Sequence, residues 1–338
     1  MGSATAGLAL LILAGAMNAS FTLPMKFTRR WAWENTWAVW SVWALLIMPT
    51  VAAYLTVPRL GQVYGQAGAN IVVLVAACGL AWGIAQVLFG MAIDAIGIAL
   101  AFAIVLGLSA AMGSLLPLFQ LHPDKVFTSA GLGVLTGVLL VVVGVSVCAI
   151  AGRKREQAST MERTRGLSFK AGLACAILSG VGAAAMNFGV AYGGPLMNAA
   201  NAAGAIPAWR TNAVWLPLMA AGAIPNLLYC FFLMRKKSTL ANYSIHGTGA
   251  YWGLAVLMAF LWFISTLLYG VASGRLGELG PILGWPFFMS LIVIVASILG
   301  IVTGEWKGAG KTPLRIQIAG VAILVVAVVV LSIAGRSL

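Results

Sequence analysis

The sequence predicts an all-α polytopic membrane protein, with ten transmembrane helices arranged as two inverted five-helix repeats and both termini outward. Three observations lead there. Of 338 residues, 62% are hydrophobic and only 8% charged, whereas a water-soluble domain carries about 25% charge. Apolar runs of the roughly 20 residues needed to cross a bilayer recur along the whole chain. Finally, residues 82–92 (WGIAQVLFGMA) are echoed by residues 262–272 (WFISTLLYGVA). Trp82, Leu88, Gly90 and Ala92 reappear as Trp262, Leu268, Gly270 and Ala272, with Phe89 answered by Tyr269.

The runs cover residues 4–25, 35–57, 70–92, 96–119, 128–151, 169–192, 211–234, 250–273, 281–303 and 316–335, and each gap holds charge, Gly, Pro or Asn. In hydrocarbon the backbone has no water to bond, so each run reads as a helix. The first is a retained span: no Lys or Arg precedes Lys26, so the basic start of a signal peptide is missing. The second follows a tryptophan-rich entry, and the third and fourth are separated by a tight turn carrying Asp94. The fifth ends on Arg153, where a charged linker to the sixth begins. The seventh closes on Arg235, Lys236 and Lys237, the eighth on Arg275. The ninth is entered through Gly280 and Pro281, and the tenth ends at Gly335 and Arg336.

Orientation follows from the cations. The odd-numbered connections carry Lys26, Arg29 and Arg30; Arg153, Lys154, Arg155, Arg163, Arg165 and Lys170; Arg235, Lys236 and Lys237; and Lys307, Lys311 and Arg315, which is 15 of the 20. Lys and Arg accumulate on the cytoplasmic side, so these connections are expected there. This placement also argues against reading the net charge of +13 as a nucleic-acid footprint.

The repeat extends through four helix pairs. Gly7, Ile12 and Gly15 match Gly172, Ile177 and Gly180. Ala38-Val39-Trp40 matches Ala213-Val214-Trp215, and Ala151-Gly152-Arg153 matches Ala334-Gly335-Arg336. The offset rises from 165 residues (Gly7 to Gly172) to 183 (Arg153 to Arg336), as insertions in the later copy would produce. The expected organisation is a first repeat at 1–152, a cytoplasmic linker at 153–168 and a second repeat at 169–338. Five helices per copy is odd, so the second copy enters the membrane upside down. Secondary transporters are commonly built this way, with substrate held between copies.

Trp82 and Gln86 lie one turn apart, as do Trp262 and Thr266. An indole packs against the apolar face of a sugar while amide and hydroxyl groups pair with its hydroxyls. The competing reading is helix packing with internally satisfied N–H groups. Asn18 and Asn187, polar at helix depth, are further substrate-binding candidates, the alternative being interhelical hydrogen bonds. Asp94 and Glu278 are candidates for carrying a coupled proton, against the plainer reading of solvated turn charges, with Glu278 beside Arg275. Glu34 and Glu305 flank cytoplasmic helix ends beside Trp33 and Trp306, which read as interface anchors, as does the cluster from Trp31 to Trp43. Gly133-x-x-x-Gly137 permits close helix contact without specifying dimerisation. The four cysteines fall in apolar runs, and His122 and His246 are isolated, so neither metal nor cofactor is expected. An intramembrane enzyme would need a nucleophile–base pair or metal ligands at helix depth, and the sequence offers neither. A channel or a scaffold fits less well than a transporter, given the duplication and the central polar groups.

Pro24-Met25-Lys26 followed by Trp31-Ala32-Trp33-Glu34 and Trp37, then Trp82-Gly83-Ile84 with Gly90 and Gly97, and finally Glu305-Trp306-x-x-Ala309-Gly310 resemble the bacterial L-rhamnose–proton symporters. The resemblance runs from about residue 15 to 335. It implies membership of the drug/metabolite transporter superfamily, whose members are typically ten-helix inverted repeats. It also implies a multi-pass protein of the bacterial inner membrane, with periplasmic termini. The implied activity is proton-coupled uptake of L-rhamnose or a related 6-deoxysugar by alternating access, the partners being a small sugar, protons and the lipid bilayer. The turn 280–284 departs from the family pattern, and the resemblance assigns the proton to neither Asp94 nor Glu278. The alternative keeps the fold and changes the cargo or direction: a metabolite exporter, or an uncoupled facilitator.

Overall fold

The computed structural model describes residues 3–158, 168–304 and 306–336. Arg163, Arg165, most of the linker and Glu305 lie outside them. Among the described residues every regular element is helical. Ten helices are long and apolar enough to cross a membrane, and each overlaps one of the ten runs.

In chain order the α-helices, some of which share a span, are α1 (Ser3–Ser20), α2 (Trp33–Ser41), α3 (Met48–Thr56), α4 (Leu60–Ala67), α5 (Ala69–Ile96), α6 (Ile98–Leu121), α7 (Ser129–Ala158), α8 (Phe169–Tyr192), α9 (Gly194–Ala202), α10 (Asn212–Lys236), α11 (Gly249–Arg275), α12 (Gly280–Val302) and α13 (Lys311–Arg336). The structure departs from the sequence reading in several places. The second span is two α-helices, α2 and α3, joined by a π-helical stretch Val42–Ile47. Pro49, in the first turn of α3, has no N–H to give the carbonyl four residues back, and a wider turn absorbs the mismatch. Residues read as a plain link form α4, whose Leu60 and Val63 are buried and which packs on α9. The helix α7 continues through Arg153, Lys154 and Arg155 to Ala158, past the expected boundary. Its last residues are good helix formers, and cations suit a helix C-terminus.

The chain divides into two compact units, each drawn from both halves of the sequence. One takes residues 1–16, 85–187 and 272–338, the other 17–84 and 188–271. In the first unit, α7 and α13 approach through glycine. A side chain at Gly133 would meet Ala334, one at Gly137 would meet Leu331, and one at Gly320 would meet Cys148. The Gly133-x-x-x-Gly137 face is thus used within the chain. Three buried polar side chains here reach across helices: Gln317 Nε2 donates to Ser297 Oγ at 2.7 Å, Trp285 Nε1 to the Ser109 carbonyl at 3.0 Å and Ser179 Oγ to the Ala85 carbonyl at 2.7 Å. In the second unit, α10 packs on α2, α3 and the π-helical stretch, burying Trp215, Leu218 and Met219.

Candidate functional site

Two glycines place Trp82. Gly79 lies against the Leu218 backbone and Gly83 against Gly222 and Pro225, so α5 and α10 come almost backbone to backbone. Gly222 in turn leaves room for the indole: a Cβ there would sit 2.8 Å from the Trp82 ring. The ring is 3% exposed and stacks on Trp262 of α11, with centroids 5.7 Å apart and planes inclined by 26°. The two tryptophans that the sequence echo pairs are therefore in direct contact, in the offset geometry that aromatic pairs prefer.

Trp40 meets Trp262 edge-on at 5.3 Å and 77°. The ladder continues through Trp37, 4.4 Å from Trp40, to Trp33, stacked on Trp37 at 5.2 Å. Trp33 is 41% exposed and Trp40 1%, so the boundary-anchor reading fails for Trp40. Helix α2 turns that face toward α11, and Trp40 is core. Its indole N–H is buried and unpaired among the described residues.

The polar candidates divide by what they already bond. Asn18 Nδ2 donates to Ser265 Oγ at 2.9 Å. The hydroxyls of Ser265 and Thr266 both donate to the Trp262 carbonyl, at 2.7 and 3.0 Å, so Thr266 spends its donor on its own helix. Trp82, Trp262, Thr266 and Asn18 all belong to the second unit, and Gln86 and Asn187 to the first. Asn187 is fully buried and its amide donates to the carbonyls of Gly113 at 2.7 Å and Pro281 at 3.0 Å, which uses both N–H groups in tying α8 to α6 and α12. Gln86 is half-buried.

Asp94 is exposed at the end of α5. Glu278 is exposed too, and its partner is Lys125, at 2.5 Å, from a link distant in sequence. The Lys125 ammonium holds the Glu278 carboxyl below the usual carboxylate range, and Glu278 raises Lys125 in return. The acid that sequence reasoning misjudged is Glu34. Read as flanking a helix end beside an interface tryptophan, it is completely buried, accepts from Thr239 Oγ1 at 2.9 Å and pairs with Lys237 Nζ at 3.2 Å. Beside it, buried Asn35 accepts at Oδ1 from the Ala32 N–H and from Asn242, and donates to the Thr239 carbonyl. Its place in the first turn of a helix was the available signal, since a carboxylate there is stabilised by the helix dipole.

A family model described as "L-rhamnose-proton symport protein (RhaT)" matches residues 2–336. Among curated proteins, the chain is similar to proteins named "L-rhamnose-proton symporter" from Salmonella gallinarum, Salmonella paratyphi B and Salmonella newport. Each is 26% identical over 330 residues, covering 96% of either chain.

Proposed function

We propose a function from one premise: this chain belongs to the L-rhamnose-proton symport protein family. It takes up L-rhamnose, or a related 6-deoxysugar, together with protons across the bacterial inner membrane by alternating access. The observation that carries this reading is the extent of the family match, residues 2–336, which takes in all ten spans.

The architecture is a pair of inverted five-helix repeats, 1–152 and 169–338, of the drug/metabolite transporter type, joined by a cytoplasmic linker with both termini periplasmic. Recurrent contacts support the repeat. Gly7 lies against Arg275 and Leu276, and its counterpart Gly172 against Ala95 and Ile96. Gly15 lies against Leu291 and Gly180 against Leu108; Gly137 lies against Leu331 and Gly320 against Cys148. In each pair the second contact is the first with the copies exchanged, as a two-fold relation requires. Two access states then come from one sequence motif.

Trp82 and Trp262 offer the sugar's C–H faces a ring once they part, and Gln86 supplies an amide to its hydroxyls, with Asn18, Thr266 and Asn187 in support. Uptake of labelled L-rhamnose by Trp82→Ala and Gln86→Ala tests this: both variants insert normally and lose transport. Wild-type uptake by both would remove the site from these residues. One observation favours the second reading, an uncoupled facilitator: among the described residues no carboxylate lies at the middle of a span. Asp94, in the last turn of α5, and Glu278, in a turn, are exposed, so a coupled proton would enter and leave through groups at the ends of spans.

A further inference from the structure

We propose that a groove between α6 and α7 binds one anionic phospholipid, an acyl chain lying in the groove and the phosphate on Arg153. The groove measures about 530 Å³, within the usual size range of small-molecule pockets. On its α6 side Leu100, Ile104 and Leu108 flank Ala103, Gly107 and Ala111, small residues four apart and therefore on one helix face. Gly107 opens onto empty space, for a Cβ there would meet nothing within 4 Å. The α7 side runs from Val142 to Arg153. Its one hydroxyl, Ser146, is turned onto the Val142 carbonyl at 2.7 Å, which leaves an apolar wall.

Length and charge select the occupant. The lining extends from Leu100 to Ala111 on α6 and from Val142 to Arg153 on α7, about 16 Å each at 1.5 Å per residue. That is about half of the 30 Å hydrocarbon core, the depth of one leaflet. The single cation of the lining stands at the end of this length, where a headgroup begins. Arg153 is exposed. Arg155, by contrast, holds its guanidinium over the Trp306 ring at 5.1 Å. A guanidinium binds phosphate oxygens in a two-pronged fashion. With Lys154 beside it, the site repels the ammonium of a zwitterionic headgroup and favours a net negative one.

The test is native mass spectrometry of the purified full chain titrated with dioleoylphosphatidylglycerol or dioleoylphosphatidylcholine. The expected result is one phosphatidylglycerol retained per chain, more tightly than phosphatidylcholine and undisplaced by excess inorganic phosphate. Arg153→Gln lowers phosphatidylglycerol retention about fivefold, the value of one cation near a charged headgroup. Gly107→Leu, which fills the groove, lowers retention of both lipids. Equal retention of the two lipids by the wild type would overturn the proposal, as would displacement by phosphate. So would wild-type retention by both variants, whose unfolding temperatures are expected to be unchanged.

Discussion

Lys125 and Glu278 illustrate what a residue pair contributes when it lies at the surface. Salt and water screen such a pair, so its value to stability is small, but its pH dependence has a defined sign. The Glu278 carboxyl is held below its ordinary value by Lys125. Its contribution is therefore complete above the unfolded value of about 4.3 and is lost as pH falls through the lower folded value. Lys125 is raised by the same partner, so its contribution is complete below about 10.4 and lost as pH rises through its higher folded value. The difference in unfolding temperature between the wild type and Lys125→Gln is thus greatest near neutral pH and closes in acid. Thermal unfolding across the pH range measures it; a difference that persists in strong acid would mean that Lys125 acts through something other than Glu278. The sequence exposed the acid but not the partner, because Lys125 and Glu278 are 153 positions apart. Glu34 was hidden in the same way. Its neighbours in sequence are interface tryptophans, while the groups that cover it, Lys237 and Thr239, lie more than 200 positions on.

Among elements, the contact between α5 and α10 is the most demanding, because its obstacles are backbone atoms. A Cβ at Gly79 would run into the carbonyl group and Cα of Leu218, so Gly79→Ala forces one helix to move. Overpacking of this kind costs about 1–3 kcal/mol. Gly90, on the same helix, has nothing within 4 Å of an added Cβ, and Gly90→Ala gains about 0.5–1 kcal/mol of helix propensity. Unfolding temperatures in detergent are expected to fall for the first variant and to hold or rise for the second; the reverse order would contradict the packing described. The Glu34 ion pair makes a second comparison. Lys237 is half-exposed and Glu34 fully buried, so Lys237→Met strands a covered carboxylate while Glu34→Gln leaves a neutral amide that still hydrogen-bonds. Breaking a buried pair by removing one partner costs about 3–5 kcal/mol, less here because Lys237 is partly solvated. Lys237→Met is expected to unfold at lower temperature than Glu34→Gln. Equal losses would mean that the carboxylate is not stranded. Helix existence was legible because ten apolar runs each exceed the length of a crossing. The two-turn α4 was not, being too short to show a span's hydropathy. The π-helical stretch left one readable sign, Pro49 inside an otherwise continuous run.

For the molecule as a whole, the ten-span helical architecture was the most legible property, and the proposed duplication rests on the sequence echo. Trp82 and Trp262, or Gly137 and Gly320, can be paired by offset alone, and the structure then places Trp82 on Trp262. What the offsets could not convey is which faces meet. Trp40 looked like part of a membrane-boundary belt until α2 was seen to turn it onto Trp262. The proposed copies and the compact units also cut the chain differently, since α1, α5, α8 and α11 each contribute to both units, a division that only long-range contacts define. The proposed site rests in part on the same echo. Residue type and symmetry pick out the tryptophan pair, but hydrogen bonds decide that Asn187 braces three helices. The central claim is that this membrane array couples sugar movement to protons. It is tested most directly by uptake of labelled L-rhamnose into proteoliposomes, with and without an inward proton gradient. Accumulation above the external concentration only when the gradient is imposed is the result expected. Simple equilibration with or without the gradient, or no uptake by correctly reconstituted protein, would contradict it.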